Sequence, residues 1–233
     1  MHALSFAFSK QYPEEFEKVL TEIKIEMEEY GSMYELLQRM IIVALENVNP
    51  ENKTALQKFM ENQKNPFIVY APIRSTVIIH GDFRGDNLLH RVREDGKVDI
   101  KIVDLQTLQG GSPVADLIYF IFTGSDEEFR TKYYEKLLDH YYTQLSAAMK
   151  RLNLDPEEMF SREDFDYEMK EKLPFGLSFA VLALPVITMD SKDTPEVNES
   201  LEFTSFKVEK TSDLYVDRLN GVVNDYVKWG ILK

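Results

Sequence analysis

His80-Gly81-Asp82-Phe83-Arg84-Gly85-Asp86-Asn87, followed by a hairpin signal and then by Val103-Asp104-Leu105-Gln106, decides how this 233-residue chain is read. The pattern is His-x-Asp, an Asn at the end of the same loop, and a second Asp at the end of a short strand. Phosphoryl transfer asks for such a set. One carboxylate orients an attacking hydroxyl and accepts its proton, while other oxygen ligands hold Mg²⁺ against the phosphates. Magnesium prefers oxygen ligands and keeps several waters, so one carboxylate and one amide from the protein suffice. On this reading Asp82 is the catalytic base and sits beside the ion without ligating it, Asn87 and Asp104 are the metal ligands, and His80 supports the loop through hydrogen bonds.

The hairpin carries its own test. Asn87 to Val92 and Val98 to Val103 flank Glu94-Asp95-Gly96-Lys97, and a two-residue turn at Asp95-Gly96 pairs Glu94 with Lys97, Leu89 with Ile102 and Asn87 with Asp104. Directly opposed residues have Cβ atoms roughly 4.5–5.5 Å apart, so this register predicts that Asn87 and Asp104 share one ion. A longer turn shifts the register and with it the face on which each side chain lies.

Working outward, residues 1–66 read as helical. Phe16, Val19, Leu20, Ile23 and Met27 follow helical spacing, as do Leu36, Leu37, Met40, Ile41 and Leu45, and the pattern resumes at Leu56 and Phe59 after Asn49-Pro50. Residues 67–111 hold the short β-branched runs, with Thr76 to Ile79 before the loop and the hairpin after it. From 112 onward the chain reads as helix again. Ser112-Pro113 is a fitting start for a helix through Phe122, and further helices fit 126–152, 162–189 with a break near Pro174, and 212–232. Residues 190–210 read as a polar, acidic connector. The fold class is α+β: one mostly helical domain with a small β insertion.

Composition excludes several functions. Forty Asp and Glu against 27 Lys and Arg give a net charge of −13, which argues against nucleic acid as a partner, because a phosphate backbone rewards clustered cations. The chain has no cysteine, which excludes disulfides, cysteine nucleophiles and thiolate zinc sites and suits a reducing compartment. The first eight residues lack the basic flank and cleavage pattern of a secretory signal. Leu173 to Met189 is uncharged but contains Pro174, Gly176 and Pro185, so it is expected to be a buried core helix and not a membrane span. The expectation is a cytoplasmic protein with no membrane partner. His90 and His140 read as surface or packing residues, and Tyr133, Tyr134, Tyr141 and Tyr142 as helix packing. Glu157-Glu158 and the acidic stretch 193–202 read as solvated surface. Asp116, early in its helix, suits the helix dipole as a structural carboxylate.

These motifs, together with Gly111-Ser112-Pro113-Val114-Ala115-Asp116-Leu117-Ile118-Tyr119-Phe120, resemble the CHK kinase-like family, also called the ecdysteroid kinase-like family, relatives of choline kinases and aminoglycoside phosphotransferases. The resemblance runs from Met1-His2-Ala3-Leu4-Ser5-Phe6 to Trp229-Gly230-Ile231-Leu232. It implies a protein-kinase-like fold that uses ATP and Mg²⁺ to phosphorylate a hydroxyl of a small molecule, such as an ecdysteroid or a xenobiotic. It matches Asp82 to the catalytic base and Asn87 and Asp104 to the metal ligands, and puts acceptor specificity in the helices of 112–233. Two departures stand out. Arg84-Gly85-Asp86 replaces the Trp, small or β-branched residue and Asn common in such proteins, and Asp104-Leu105-Gln106 stands where Asp-Phe-Gln is usual. Only Gly31 precedes Gly81, so the glycine-rich cover for the ATP phosphates has no counterpart upstream. The chain therefore reads as the carboxy-terminal lobe of such a kinase, with impaired turnover. Two other readings stand beside it: a non-catalytic binding or interaction protein, and a metal-dependent phosphohydrolase using the same carboxylates with water.

Overall fold

Four helices form where the amino-terminal periodicity puts them: α1 (His2–Gln11), α2 (Pro13–Glu22), α3 (Met27–Asn47) and α4 (Pro50–Asn62). Both α2 and α4 open on proline, whose fixed φ and missing N–H suit a first helical position, and Glu14 and Glu15 complement the α2 dipole. The computed structural model describes residues 1–24, 27–63, 66–189, 208 and 210–233. Beyond α4 come four short strands, β1 (Val77–Ile79), β2 (Leu88–Val92), β3 (Val98–Ile102) and β4 (Gln109–Gly111), and then α5 (Ala115–Gly124), α6 (Glu127–Arg151), α7 (Pro156–Met159), α8 (Arg162–Ile187) and α9 (Asp213–Lys228). The strands make two antiparallel pairs, β1 with β4 and β2 with β3. The class is α+β.

The chain divides into two compact units, the first made of Met1–Ile25, Val69–Gly124 and Lys136–Lys172, the second of Glu26–Ile68, Ser125–Glu135 and Leu173–Lys233. The first unit is built around fully buried Phe6, Ile79, Val114, Ile118, Phe160 and Phe165. Phe6 stacks on Phe160 at 5.9 Å between ring centres, and Phe165 meets Phe160 edge-on at 6.4 Å. Helix α1 is tied to β1 by the Ile78 N–H, which donates to Ser5 Oγ at 2.7 Å. All four strands and the loops between them belong to this unit.

In the second unit, Asn220 on α9 accepts from the Asn49 N–H at 2.7 Å and donates to the Asn47 carbonyl at 3.1 Å, fixing the α3–α4 corner. Arg130 and Asp225, both buried, pair at 2.5 Å. Ser212 caps α9 by accepting from the Tyr215 N–H at 3.1 Å.

Three expectations need correction. The helix expected to start at Ser112-Pro113 begins at Ala115, because the Ser112 hydroxyl and carbonyl accept from Val114 and Ala115 in a turn first. The break expected near Pro174 does not occur, and α8 continues through both Pro174 and Pro185. Proline removes one helical hydrogen bond, but Leu177 to Leu184 are buried there, and that packing outweighs the lost bond. Strand β4, Gln109-Gly110-Gly111, was not anticipated, since it carries none of the β-branched residues that mark a strand. The connector expected at 190–210 lies mostly outside the described residues. Among the described residues no helix is long and apolar enough to cross a membrane.

Candidate active site

β1 delivers the chain to the loop, and β4 holds β1 in place with Ile79 opposite Gln109. At His80 and Gly81 all four backbone polar groups are then fixed. The His80 and Gly81 N–H groups donate to the two carboxylate oxygens of Asp116 at 2.8 and 3.0 Å. The His80 carbonyl accepts from the Thr107 hydroxyl at 2.7 Å, and the Gly81 carbonyl from the Tyr70 hydroxyl at 2.7 Å. Gly81 has φ +83°, and a Cβ there would stand 2.4 Å from the Thr107 carbonyl oxygen. Gly81→Ala is expected to cost at least about 1–3 kcal/mol of folding stability. Thermal unfolding will show this, and a variant as stable as the parent would mean that the turn is not held as described.

Asp116 sits in the first turn of α5, where the helix dipole favours an anion. It is buried beside His2, whose Nε2 lies 3.3 Å from Oδ2. His2 Nδ1 in turn meets the Tyr141 hydroxyl at 2.6 Å, and that hydroxyl donates to the Pro113 carbonyl at 3.2 Å. Burial pushes the Asp116 carboxyl up, but the hydrogen bond and charge of His2 and the two backbone N–H groups outweigh it and hold the group below its ordinary value.

The His80 ring links the two halves of the site. Its Nδ1 accepts from the Asp82 N–H at 3.3 Å, which leaves Nε2 to donate to the Val103 carbonyl at 2.9 Å. Asp82 is half-buried. Its Oδ2 accepts from Asn87 Nδ2 at 3.1 Å and from Arg84 Nε at 3.2 Å. On α5, burial, followed by the nearby Asp82 charge, pushes the Tyr119 phenol far above its ordinary range. Arg84 reaches Asp86 as well, at 3.4 Å.

The hairpin register differs by one residue from the expected one. Leu88 pairs with Ile102 and Val92 with Val98. Arg93 bonds Lys97 at 2.8 Å across a three-residue loop, Glu94-Asp95-Gly96. The two-residue turn would need positive φ at both Asp95 and Gly96, and only Gly96 adopts it, at +77°. Asn87 is therefore bonded to Val103, whose N–H donates to the Asn87 carbonyl at 3.0 Å, and not to Asp104. Asp104 comes next, leaving the strand with φ 62° and ψ 63°. That left-handed conformation is uncommon for a residue with a Cβ.

The loop and strand end thus come together through hydrogen bonds: Asn87 to Asp82 by its side chain, Asp82 to Val103 through the His80 ring, and Asn87 to Val103 through the ladder. Nδ2 of Asn87 is taken up by the Asp82 carbonyl at 2.8 Å and the Asp82 carboxylate, which orients the amide and leaves its oxygen as the free ligand atom. Asp104 is exposed and has no hydrogen-bond or ion-pair partner among the described residues. One amide oxygen and one unpaired carboxylate suit Mg²⁺ in donor chemistry. Among the described residues no three His, Cys, Asp or Glu side chains converge, so a site of the acidic-cage or zinc type is not what this loop builds. On the hairpin, Leu88, His90 and Val92 share a face with Val98, Ile100 and Ile102. Val92, Val98 and Ile100 on that face are more than half exposed.

Sequence reasoning assigned no role to Arg84 or Tyr119. The i, i+3, i+4 spacing of Asp116, Tyr119 and Phe120 is a signal that could have found Tyr119, because it puts all three on one helix face. Nothing local announces the pairing of His2 with Asp116, which are separated by most of the first unit's sequence.

The ecdysteroid kinase-like family model matches residues 1–154, and the chain belongs to that family. The match covers the whole loop, hairpin and α5. The resemblance expected to continue to the last residues is not part of it. Comparison with curated proteins and with solved structures gives no match.

Proposed function

We propose that this chain is the catalytic-loop half of a kinase-like phosphotransferase, a carboxy-terminal lobe that moves the terminal phosphoryl group of ATP to a hydroxyl of a small molecule such as an ecdysteroid or a xenobiotic. The observation that carries the reading is the Asp82–Asn87 pair, joined through His80 to Val103 and so to Asp104, in a member of the ecdysteroid kinase-like family. Asp82 accepts the proton of the acceptor hydroxyl and aims its oxygen at the phosphorus. Asn87 and Asp104 would hold Mg²⁺, which when bound neutralises charge on the phosphates. Arg84, in ion-pair contact with Asp82, supplies a cation where the anionic phosphoryl group arrives. The exposed apolar face of the hairpin suits the flat surface of a nucleobase.

Residues 1–80 contain a single glycine, Gly31, so a glycine-rich loop that cradles a triphosphate is not among them. That same scarcity favours a second reading, a non-catalytic protein that binds a small molecule or a partner. The test is ADP formation from MgATP with an ecdysteroid, choline and an aminoglycoside as acceptor alcohols. Slow ADP release that requires both Mg²⁺ and an alcohol supports the phosphotransferase. No release above the protein-free background supports the second reading, whereas release that needs Mg²⁺ but no alcohol is hydrolysis and supports neither.

A further inference from the structure

Helix α1 bears on the catalytic loop at two points. His2 and Ser5 lie three residues apart and so share one face of that helix. Ser5 is buried and takes the Ile78 N–H at 2.7 Å, which holds β1, the strand that leads into the loop. His2 reaches to Asp116 on α5. Their side chains are 10% and 5% exposed, and Nε2 of His2 stands 3.3 Å from Oδ2 of Asp116. That carboxylate already accepts from the His80 N–H at 2.8 Å through Oδ2 and from the Gly81 N–H at 3.0 Å through Oδ1. Both of those donors belong to the loop itself, so they can shift together with the carboxylate. A third donor, from a different helix, fixes the carboxylate against the rest of the unit.

The His2 ring is held in its turn. Nδ1 meets the Tyr141 hydroxyl of α6 at 2.6 Å, and the two rings stand edge-on with 6.1 Å between their centres. An ionised carboxylate accepts and does not donate, so the ring nitrogen that faces Asp116 must carry a hydrogen; the partners assign Nε2 as the donor. We infer that His2 is a positioning residue for the catalytic loop: by donating from Nε2 to Asp116 it fixes the carboxylate that orients the His80 and Gly81 N–H groups, and thereby the place of Asp82 one residue further on. The inference rests on the reading of Asp82 as the base. Supporting groups of this kind, locked by their own hydrogen bonds, keep a reacting group within the narrow geometry that catalysis tolerates.

Two substitutions separate donation from packing. His2→Leu keeps an apolar side chain and loses the donor, whereas His2→Gln retains an N–H near the position of Nε2. In the full chain, with MgATP and the same three alcohols, His2→Leu is expected to lower kcat about tenfold or more, the scale of a slightly misplaced catalytic group. His2→Gln should recover most of that rate. KM for ATP and for the alcohol should stay within about twofold in both, because the role assigned to His2 is to aim the base and not to hold either substrate. A second arm needs no turnover: nitrogen-15 spectra of the histidine rings in the parent and in Asp116→Asn. The parent should show His2 with a hydrogen on Nε2 in slow exchange with water, and Asp116→Asn should lose that slow exchange. A His2 ring with its hydrogen on Nδ1 alone would overturn the contact. Equal loss of kcat in His2→Leu and His2→Gln, or an unchanged kcat in His2→Leu, would overturn the positioning role. If the parent chain transfers no phosphoryl group to any of the alcohols, the phosphotransferase reading fails and takes this role with it, whereas an active parent with an indifferent His2→Leu defeats the inference alone.

Discussion

Asp82→Asn is expected to lower the phosphoryl-transfer rate of the chain by about 10²–10⁴-fold, the usual worth of a positioned general base. The substitution keeps the size and one oxygen of the side chain but removes its capacity to accept a proton. Asn87 and Arg84 both address Oδ2, so an amide whose oxygen takes that position retains both contacts and the loop should keep its shape. The loss should therefore appear in kcat, with KM for ATP nearly constant, because the phosphates are held by other groups. Rates measured under single-turnover conditions with labelled ATP will decide this. A variant within about threefold of the parent would show that Asp82 is not the base.

Asp116→Ala is expected to be the most destabilising substitution in the loop's support, costing about 3–5 kcal/mol as befits the removal of one partner from a buried charged cluster. For a chain of this length that is a fall of roughly 10 °C or more in melting temperature. Three groups lose their acceptor at once: the His80 N–H, the Gly81 N–H and the His2 imidazole. Asp116→Asn is the milder companion, since its amide can still accept from one N–H but confronts the other with a donor. The two differ in pH behaviour. The folded Asp116 carboxyl lies below its ordinary value of 3.8. Its contribution is therefore complete above that value and is lost as pH falls through the lower folded one. The stability gap between the parent and Asp116→Asn should persist from neutral pH down to about pH 4 and close below it. A gap that closes between pH 7 and 5 would assign the effect to a different group.

Much of the fold could be read from residue spacing. The apolar periodicity that predicts helix through residue 66 corresponds to α1 to α4, and the hairpin flanks correspond to β2 and β3 within a residue or so. What failed did so for local physical reasons. The turn sequence Glu94-Asp95-Gly96-Lys97 fits either a two-residue or a three-residue loop, and the backbone sign of Asp95, which no spacing rule reveals, selects the longer one. β4 is hidden because Gln-Gly-Gly has no strand propensity and forms only by pairing with β1. Proline ends helices in most settings, but at Pro174 the burial of Leu177 to Leu184 outweighs that tendency.

For the site, the residue types were legible and their mutual placement was not. Asp82, Asn87 and Asp104 are the candidates that pattern alone picks out. Their connection runs through His80 and Val103, not through a face-to-face pair on the hairpin, because Asn87 is bonded to Val103. Arg84 and Tyr119 escaped notice, the first because a loop has no fixed periodicity, the second because its helix reads as plain apolar core.

The central claim is that Asn87 and Asp104 hold a divalent cation beside Asp82. Titration of Mn²⁺ in the presence of ADP, followed by electron paramagnetic resonance, tests it directly on the parent chain and on Asn87→Ala, Asp104→Ala and Asp82→Asn. The parent and Asp82→Asn should bind the ion alike, while Asn87→Ala and Asp104→Ala should each bind it at least about tenfold more weakly, as expected when a ligand is removed from a site with so few protein donors. Equal binding by all four chains, or no binding by the parent, would contradict the claim.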